Sequence, residues 1–406
     1  MALNTKDIFP GLDELIPGER LQRVDNAIGA LFDRTLTILP DGSPFIITGD
    51  IPAMWLRDST FQVKPLLNSK HPEIIELLIE ISKSQMRLFL IDPYANAFNP
   101  GPTGNCWHKD FAEQSPWVFE RKFELDSWAA ILHLARMIHE KYGRNDHMQD
   151  TFGQALDLMI DLAIREQHHD PTSYRFKREN QIPHDSLSHD GYGAPTGYTG
   201  MVYSAFRPSD DACTYGYLVP SNLYFLRELE GLSEEFKTAR VKKLIDEVKQ
   251  GIEKFAIIEG RYAYEVDGLG NALFIDDANV PSLLSLPYLD ISLNTDQIYQ
   301  STRKFILSSE NPYYFIGKKA AGIGSQHTPI HHIWPISIAI QGLTDANSDS
   351  AGKMLELLEK SDGGTGSMHE SFHVDDDQIF TREWFSWADM TYVELVLKSV
   401  NYSSIK

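Results

Sequence analysis

Five segments of the sequence combine acidic residues with aromatic residues, glycine and proline, a mixture that surface loops seldom carry. They cover residues 48–59, 120–128, 197–217, 322–335 and 368–387. A pyranose ring has one apolar face and a rim of hydroxyl groups, so a sugar site needs stacked Trp or Tyr together with carboxylates and Arg. Any one segment alone is better explained by core aromatic residues and acidic helix caps. Five such segments together favour a carbohydrate site.

Three carboxylates are candidates for hydrolysis of a glycosidic bond, which needs one protonated and one ionised carboxyl group. Asp210 and Asp211 are adjacent where a helix is expected to begin, and their repulsion should raise one pKa, as a general acid requires. Glu383 lies between Arg382 and Trp384 before the last helix, where the Arg is expected to keep it ionised as a base. The alternatives are an acidic helix cap for the Asp pair and a surface ion pair for Glu383.

A competing pattern is HESFH, formed by His369, Glu370 and His373 with two intervening residues. It satisfies the HExxH motif of zinc peptidases, in which two His residues on one helical face hold the metal and the Glu is the base. Several glycines precede the motif and an acidic run follows it, so the required helix is not expected. A zinc peptidase is therefore kept as an alternative hypothesis, and no metal is expected.

The segments that must position these residues have a helical pattern, with apolar residues three and four apart. Helices are predicted from Pro72 onward and near 26–38, 59–68, 126–139, 149–166, 215–230, 234–256, 279–286, 295–308, 332–342, 350–360 and 384–400. Strand patterns are few, at 174–177 and in a hairpin formed by 261–266 and 272–275. Many of the helices are too apolar for the surface. The pattern predicts an all-α toroid of six inner and six outer helices, with loops gathered at one end and small β-hairpin decorations.

Composition limits the class of protein. The 406 residues carry 37 Lys plus Arg against 57 Asp plus Glu, a net charge of −20, which makes nucleic acid an improbable partner. Cys106 and Cys213 lie far apart, which predicts neither a disulfide framework nor a metal motif. No signal peptide and no membrane-spanning segment is recognised. We expect one catalytic domain over residues 1–406 in the cytoplasm, with no membrane partner.

Several segments, in this order, resemble the signatures of glycoside hydrolase family 125. They are WLRDS (55–59), FELDSW (123–128), FRPSDDA (206–212), DDANVPSLL (276–284), GIGSQHT with IWP (322–328 and 333–335) and REWFSWAD (382–389). The resemblance extends from about residue 20 to 400. It implies an (α/α)6 barrel and an inverting, exo-acting α-1,6-mannosidase that acts on mannose-containing oligosaccharides without a cofactor, and it gives no reason to expect more than a monomer.

The resemblance also implies roles for individual residues. Asp210 matches the family's general acid, with Asp211 as the alternative, and Glu383 matches the general base. Arg57 and Asp58 are expected to clamp hydroxyl groups at the non-reducing end. The complete set of expected sugar-binding residues is Trp55, Arg57, Asp58, Glu124, Asp126, Arg207, Asp211, His327 and Glu370. A barrel that binds mannosides without turnover remains a third hypothesis.

Overall fold

The computed structural model describes residues 3–110, 114–170, 173–179, 182–291, 295–347 and 349–402. Thirteen helical segments lie in these ranges. They are α1 (Thr5–Ile8), α2 (Gly18–Ala30), α3 (Leu56–Val63), α4 (Pro72–Ile91), α5 (Leu125–Tyr142), α6 (Asp150–Glu166), α7 (Ser188–Gly191), α8 (Val219–Glu230), α9 (Ala239–Gly251), α10 (Gln297–Ile306), α11 (Pro335–Leu343), α12 (Asp349–Lys360) and α13 (Ser386–Ser399).

Six helical elements form an inner ring. They are α3, α5, α8, the 3-10 helix Leu286–Leu289, α11 and α13; α11 packs on α13, α13 on α3, α3 on α5, α5 on α8, and α8 on the 3-10 helix. Outside them, α2 packs on α13, α4 on α5, α6 on α4, α9 on α8, and α12 on both α11 and α13. In α10, the Tyr299 hydroxyl donates to the carbonyl of Leu284, 3.0 Å away, just before the 3-10 helix. The chain alternates between outer and inner elements, so the inner elements all begin at one end of the toroid.

Burial follows the sequence pattern of each helix. In α11, PISIAIQGL, seven of nine residues are buried, as expected for an inner helix that is apolar on all sides. In α12, by contrast, the buried apolar residues Ala351, Leu355 and Leu358 lie three or four positions apart on one face. Gly342 of α11 permits close packing, since an added Cβ would lie 2.9 Å from Leu395 of α13 and 3.1 Å from Met354 of α12.

Short antiparallel strands form six small sheets around the helices. The strands are β1 (Leu36–Ile38), β2 (Pro44–Ile46), β3 (Met54–Trp55), β4 (Ala97–Phe98), β5 (Val118–Glu120), β6 (Tyr217–Leu218), β7 (Ile257–Ile258), β8 (Arg261–Tyr262), β9 (Glu265–Val266), β10 (Ala272–Leu273), β11 (Tyr314–Ile316), β12 (Ala321–Ile323), β13 (His332–Ile333), β14 (Ser371–His373) and β15 (Asp376–Thr381). Strands β3, β6 and β13 directly precede inner helices. They therefore help to position the segments that enter the ring.

The predicted all-α toroid is confirmed. The differences from the prediction lie in the segments that connect the helices. The helix predicted over 279–286 is the 3-10 helix Leu286–Leu289, preceded by turns, and the segment predicted as a strand at 174–177 is not one. The helices predicted from 215 and 332 begin later, at Val219 and Pro335, because short strands occupy the preceding residues. Strands β9 and β10 form the predicted hairpin, whereas β8 pairs with β7. Cys106 and Cys213 are both free.

In the described ranges, no helix combines the length and the hydropathy needed to cross a membrane.

Candidate active site

A pocket with an empty volume of about 350 Å³ lies at the end of the toroid where the inner helices begin. Six of the eleven predicted site residues line it: Trp55, Arg57, Asp58, Asp210, His327 and Glu370. A wider depression of about 880 Å³ lies outside the ring, but Asp41 is the one carboxylate among its described lining residues. The charged residues that line the smaller pocket, rather than its volume, therefore identify it as the candidate active site.

Arg57, in the first turn of α3, is fixed by acidic residues from α5. Its Nη1 donates to Glu124 Oε2 at 2.5 Å and to Asp126 Oδ2 at 2.9 Å. The side chains of Glu124 and Asp126 are fully buried, and that of Arg57 is 3% exposed. Ser221 of α8 donates to the other oxygen of Asp126 at 3.1 Å. Glu124 and Asp126 thus hold the arginine rather than line the pocket.

Asp58, the next residue in α3, does line the pocket and lies 3.6 Å from Arg57. Burial raises the pKa of Asp58 to about 6, although Arg57 and Arg382 act in the opposite direction. Within the described residues, Asp58 Oδ1 has no hydrogen-bond partner, and neither has Arg57 Nε. Buried polar atoms without partners are costly, so a ligand with hydroxyl groups would satisfy both.

Asp210 lies at the tip of a tight turn, with φ of 67°. Phe206 and Ala212 form an isolated bridge below the tip, and the Asp210 amide donates to the carbonyl of Arg207 at 2.9 Å. The expectation that a helix begins here is wrong, because α8 starts at Val219. A positive φ is uncommon outside glycine, and the local hydrogen bonds stabilise it. The turn directs Asp210 and Asp211 into different surroundings.

The expected repulsion between Asp210 and Asp211 is not what sets the protonation of Asp210. Burial would raise the pKa of Asp210, but the charges of Lys122 and Arg57 outweigh it and lower that pKa. The raised pKa belongs to Glu124, where burial and the charge of Asp210 outweigh the effect of Arg57. The sequence predicted a carboxyl group of raised pKa at the Asp210–Asp211 turn, whereas the structure raises the pKa of Glu124 and lowers that of Asp210.

Asp211 is not among the residues that line the pocket and is fully buried, with its Oδ1 3.6 Å from Nδ1 of His327. Burial alone would lower the pKa of His327, but the Asp211 carboxylate outweighs it and raises that pKa to about 9. His327 therefore presents a positive charge to the pocket at neutral pH. Asp211 acts on the site through this histidine.

Glu383 is exposed, in the segment that also carries the lining residues Arg382 and Phe385. Arg382 was expected to hold Glu383 ionised, but its guanidinium donates to Asp50 and Thr48 and lies 3.5 Å from Glu370. Among the residues described, no hydrogen bond or ion pair joins Arg382 to the Glu383 side chain. The expected contact between Arg382 and Glu383 is therefore absent from the described residues, because the guanidinium is occupied by Asp50, Thr48 and Glu370.

The HESFH motif is not helical. Residues Ser371–His373 form β14, which pairs with β13 and β15, so the two histidines do not share a helical face. His369 is buried, and its Nδ1 lies 2.9 Å from the Glu383 carbonyl and 3.2 Å from that of Arg382. The zinc hypothesis is therefore wrong in its structural requirement, and His369 instead anchors the segment that carries Glu383.

Glu370 and the aromatic residues complete the walls. Glu370 lines the pocket and accepts a hydrogen bond of 3.0 Å from Thr381. Besides Trp55, the aromatic side chains of Trp334, Phe385 and Trp387 contribute to the lining. These three were within the sequence segments that combined acids and aromatics, but the sequence did not separate them from core tryptophans.

Arg207 lies behind the pocket rather than in it. Its Nε donates to Glu265 at 2.6 Å, and both side chains are almost fully buried. Two further residues were missed in the sequence. Lys122 donates to the carbonyl of Asp210 at 2.6 Å, and Asn96 donates to the Asp210 carboxylate at 3.1 Å. Lys122 lies in the 120–128 segment already noted, whereas no motif drew attention to Asn96.

Comparisons with known proteins agree with this geometry. A family described as metal-independent alpha-mannosidase (GH125) matches residues 19–397. The Meiotically up-regulated gene 157 protein of Schizosaccharomyces pombe (strain 972 / ATCC 24843) is 37% identical over 388 residues, which cover 87% of this chain and 76% of the yeast protein.

Solved structures are also similar. A Streptococcus pneumoniae member of a family of metal-independent alpha mannosidases, in a non-productive complex with alpha-1,6-mannobiose, is 41% identical over the full length of both chains, with a TM-score of 0.94. A bacterial glucoamylase complexed with acarbose is 12% identical and has a TM-score of 0.60, with 97% of this chain and 57% of the glucoamylase covered. At that identity it supports the helical-barrel fold alone. The chain belongs to glycoside hydrolase family 125, the metal-independent alpha-mannosidases.

Proposed function

We propose that this protein is an exo-acting α-1,6-mannosidase that hydrolyses its substrate with inversion at the anomeric carbon. The observation that carries the proposal is the pocket at the start of the inner helices, which combines aromatic walls with Arg57, Asp58 and Asp210. The linkage is supported by the 41% identical Streptococcus pneumoniae protein, whose complex contains alpha-1,6-mannobiose.

The floor of the pocket supports the proposal of exo action. Arg57, Asp58 and Trp387 lie in the first turns of α3 and α13, and the buried network of Glu124 and Asp126 lies beneath Arg57. In this proposal the floor stops a glycan chain from passing through, so that only a terminal sugar enters. The unpartnered oxygen of Asp58 and nitrogen of Arg57 are suited to bind its hydroxyl groups.

Two carboxyl groups perform the reaction in this proposal. Asp210 gives its proton to the glycosidic oxygen as the bond to the anomeric carbon breaks. Glu383 accepts a proton from the water that attacks the opposite face of the sugar, and its exposure gives water access to it. An inverting enzyme requires about 6.5–9.5 Å between the two carboxyl groups, which leaves room for that water.

The charged residues around Asp210 set the conditions for this step. His327 carries a positive charge at neutral pH, which favours bound hydroxyl oxygens and negative charge developing on the leaving oxygen. Arg57 orients the terminal sugar from a position that Glu124 and Asp126 fix. The chain's own side chains therefore supply both proton transfers and the positioning of the substrate.

The experiment that tests the proposal is proton NMR of the reaction with α-1,6-mannobiose, recorded before the released mannose mutarotates. Early β-mannose is the expected product. Early α-mannose would refute inversion, and cleavage of α-1,6-mannotetraose into two molecules of mannobiose without release of free mannose would refute exo action. Binding of mannobiose without release would instead favour a carbohydrate-binding barrel.

A pair of variants tests the base. Glu383→Gln should lower kcat by at least about 100-fold, because a general base contributes 10²–10⁴-fold. The matched control is Glu310→Gln, which alters another exposed glutamate, one whose side chain lies 3.9 Å from Arg261. Equal activity of the two variants would exclude Glu383 as the base.

A further inference from the structure

Three carboxylates converge on one side-chain amide beside the pocket. Asn96 Nδ2 lies 3.1 Å from Asp210 Oδ1, 3.2 Å from Glu124 Oε1 and 3.1 Å from Glu120 Oε2. An amide nitrogen carries two hydrogens, so it cannot give each acceptor a separate hydrogen bond. Asp210 Oδ1 and Glu124 Oε1 thus share one donor nitrogen, and two carboxylates brought together in this way repel each other if both are ionised. The arrangement therefore favours one proton held by the pair.

The charged residues around Asp210 and Glu124 determine how many protons these two carboxyl groups hold together. The charged and titratable groups that face it are Arg57 and Asp58 of α3, Asp126 of α5, Glu120 of β5, Lys122 after β5, Asp211 of the turn, His327 before β13 and Arg382 after β15. Arg57 donates to Glu124 Oε2 at 2.5 Å, and Lys122 donates to the backbone of Asp210 at 2.6 Å. These cations stabilise one negative charge on the pair, while burial and the surrounding carboxylates oppose a second.

The two members of the pair differ in exposure. Glu124 has a fully buried side chain and does not line the pocket, whereas Asp210 is half-buried and does. Burial, with the charge of Asp210, raises the pKa of Glu124 well above its usual range, and the nearby cations lower the pKa of Asp210. The proton of the resting pair therefore lies on Glu124.

We propose, on the basis of the function given above, that Glu124 is a positioning residue that stores the proton which Asp210 delivers to the leaving oxygen. Glu124 does not touch the sugar and acts only through Asp210. The transfer takes place between the two carboxyl groups whose oxygens Asn96 holds together. This arrangement lets Asp210 act as an acid although its own surroundings favour the ionised form.

Protons balance over one turnover. The pair begins with one proton, which passes from Glu124 to Asp210 and then to the glycosidic oxygen as its bond to the anomeric carbon breaks. The attacking water forms the new bond to that carbon and gives its proton to Glu383. Glu383 then releases this proton to solvent, and the pair takes one proton from solvent to return to its resting state.

The test compares Glu124→Gln with the wild type on two substrates across a range of pH. Gln preserves the shape of the side chain and can donate an N–H to Asp210, but it cannot supply a proton. With α-1,6-mannobiose, kcat/KM at pH 7 should fall by about 10-fold or more, and the alkaline limb should move to lower pH by about one unit or more. With 2,4-dinitrophenyl α-mannoside, whose leaving group needs no proton, the loss should be much smaller.

The matched control is Glu228→Gln, which alters another fully buried glutamate, held by Arg136 in α5 at 2.7 Å. It should lower stability without moving the alkaline limb. An unchanged alkaline limb in Glu124→Gln, or an equal loss on both substrates, would overturn the proposal. Failure of the acid assignment itself is distinguished by Asp210→Asn, which would then lose activity equally on both substrates.

A measurement on the wild type keeps the proposal testable if Glu124→Gln does not fold. Carboxyl carbons labelled with ¹³C in glutamate report protonation by their chemical shift, and a glutamate signal should titrate well above the usual value of about 4.3. That signal should shift when a non-hydrolysed mannoside occupies the pocket. If every glutamate carboxyl titrates in the ordinary range, Glu124 does not store the proton.

Discussion

Replacing Asp211 by Asn should lower the pKa of His327 and remove the positive charge that this histidine presents at neutral pH. The closest approach of the two side chains is 3.6 Å, between Nδ1 and Oδ1. Burial opposes protonation of His327, and the Asp211 carboxylate reverses that effect, so that the pKa is about 9. Asn is close to Asp in shape and lacks the charge, which makes it a direct test of the cause.

The magnitude follows from the distance and the exposure. Two unit charges 3.6 Å apart attract with about 1.2 kcal/mol if they are screened as in water, which corresponds to almost one pKa unit. The carboxylate is fully buried while a third of the histidine side chain is exposed, so the screening is weaker than in water but still substantial. The pKa of His327 should therefore fall by at least about one unit in Asp211→Asn.

The assay is a pH titration of the histidine ring signals by NMR in both proteins. The ring of His147, which lies 2.8 Å from the Ala135 carbonyl away from the pocket, should be unchanged and serves as the internal control. The raised pKa of His327 also contributes to the pH dependence of the free energy of unfolding. A raised histidine pKa stabilises the fold below the unfolded value of about 6.5, and this contribution is lost as pH rises through about 9. Asp211→Asn should thus reduce the free energy of unfolding more at pH 6 than at pH 10.

Two results would refute this reasoning. One is a wild-type His327 that titrates at or below its usual value, which would mean that burial outweighs the carboxylate. The other is a shift of less than half a unit in Asp211→Asn, which would assign the raised pKa to other charges in the pocket. Either result would also remove the argument that a cationic His327 assists the leaving oxygen.

Three further outcomes are expected. Asp210→Asn should lose at least about 100-fold in kcat on α-1,6-mannobiose but far less on an aryl mannoside with a good leaving group, and equal losses would exclude it as the acid. Arg57→Met should lower the free energy of unfolding by about 3–5 kcal/mol in denaturant titrations, because Glu124 and Asp126 lose their buried partner. The surface control Arg144→Met should cost about 1 kcal/mol or less, and a similar cost for both would contradict the argument. Activity should survive dialysis against EDTA with metal content checked by mass spectrometry, since the family to which the chain belongs is described as metal-independent; loss restored by zinc would refute this.

The order of helices was predictable because burial on all sides leaves an unmistakable pattern. The run that became α5 is apolar around its whole circumference, and Gly143, with φ of 66°, ends it as the sequence indicated. The segments that connect the helices were not predictable in detail. Two-residue strands such as β6 and β13 are too short to have a period of their own, and pairing with distant strands specifies them.

For the candidate site, too, the sequence predicted some features and not others. Motif position identified the segments that carry Arg57, Asp210 and His327, because chemistry limits which residue types can serve there. The partners of each side chain depend on contacts across the ring, which no local pattern encodes. Asn96 contacts Asp210 from 114 positions away, and Arg382 contacts Asp50, 332 positions away, rather than its neighbour Glu383.

The common direction of the inner helices has a practical consequence for handling the protein. The segments that line the pocket are at the end where these helices begin, whereas Lys141, in the last turn of α5, is exposed at the opposite end. Attachment to a solid support through Lys141 should leave the mouth of the pocket open to bulky glycans. Libraries that vary residues 48–55 and 322–334 should in turn alter glycan preference while the ring of helices keeps its packing.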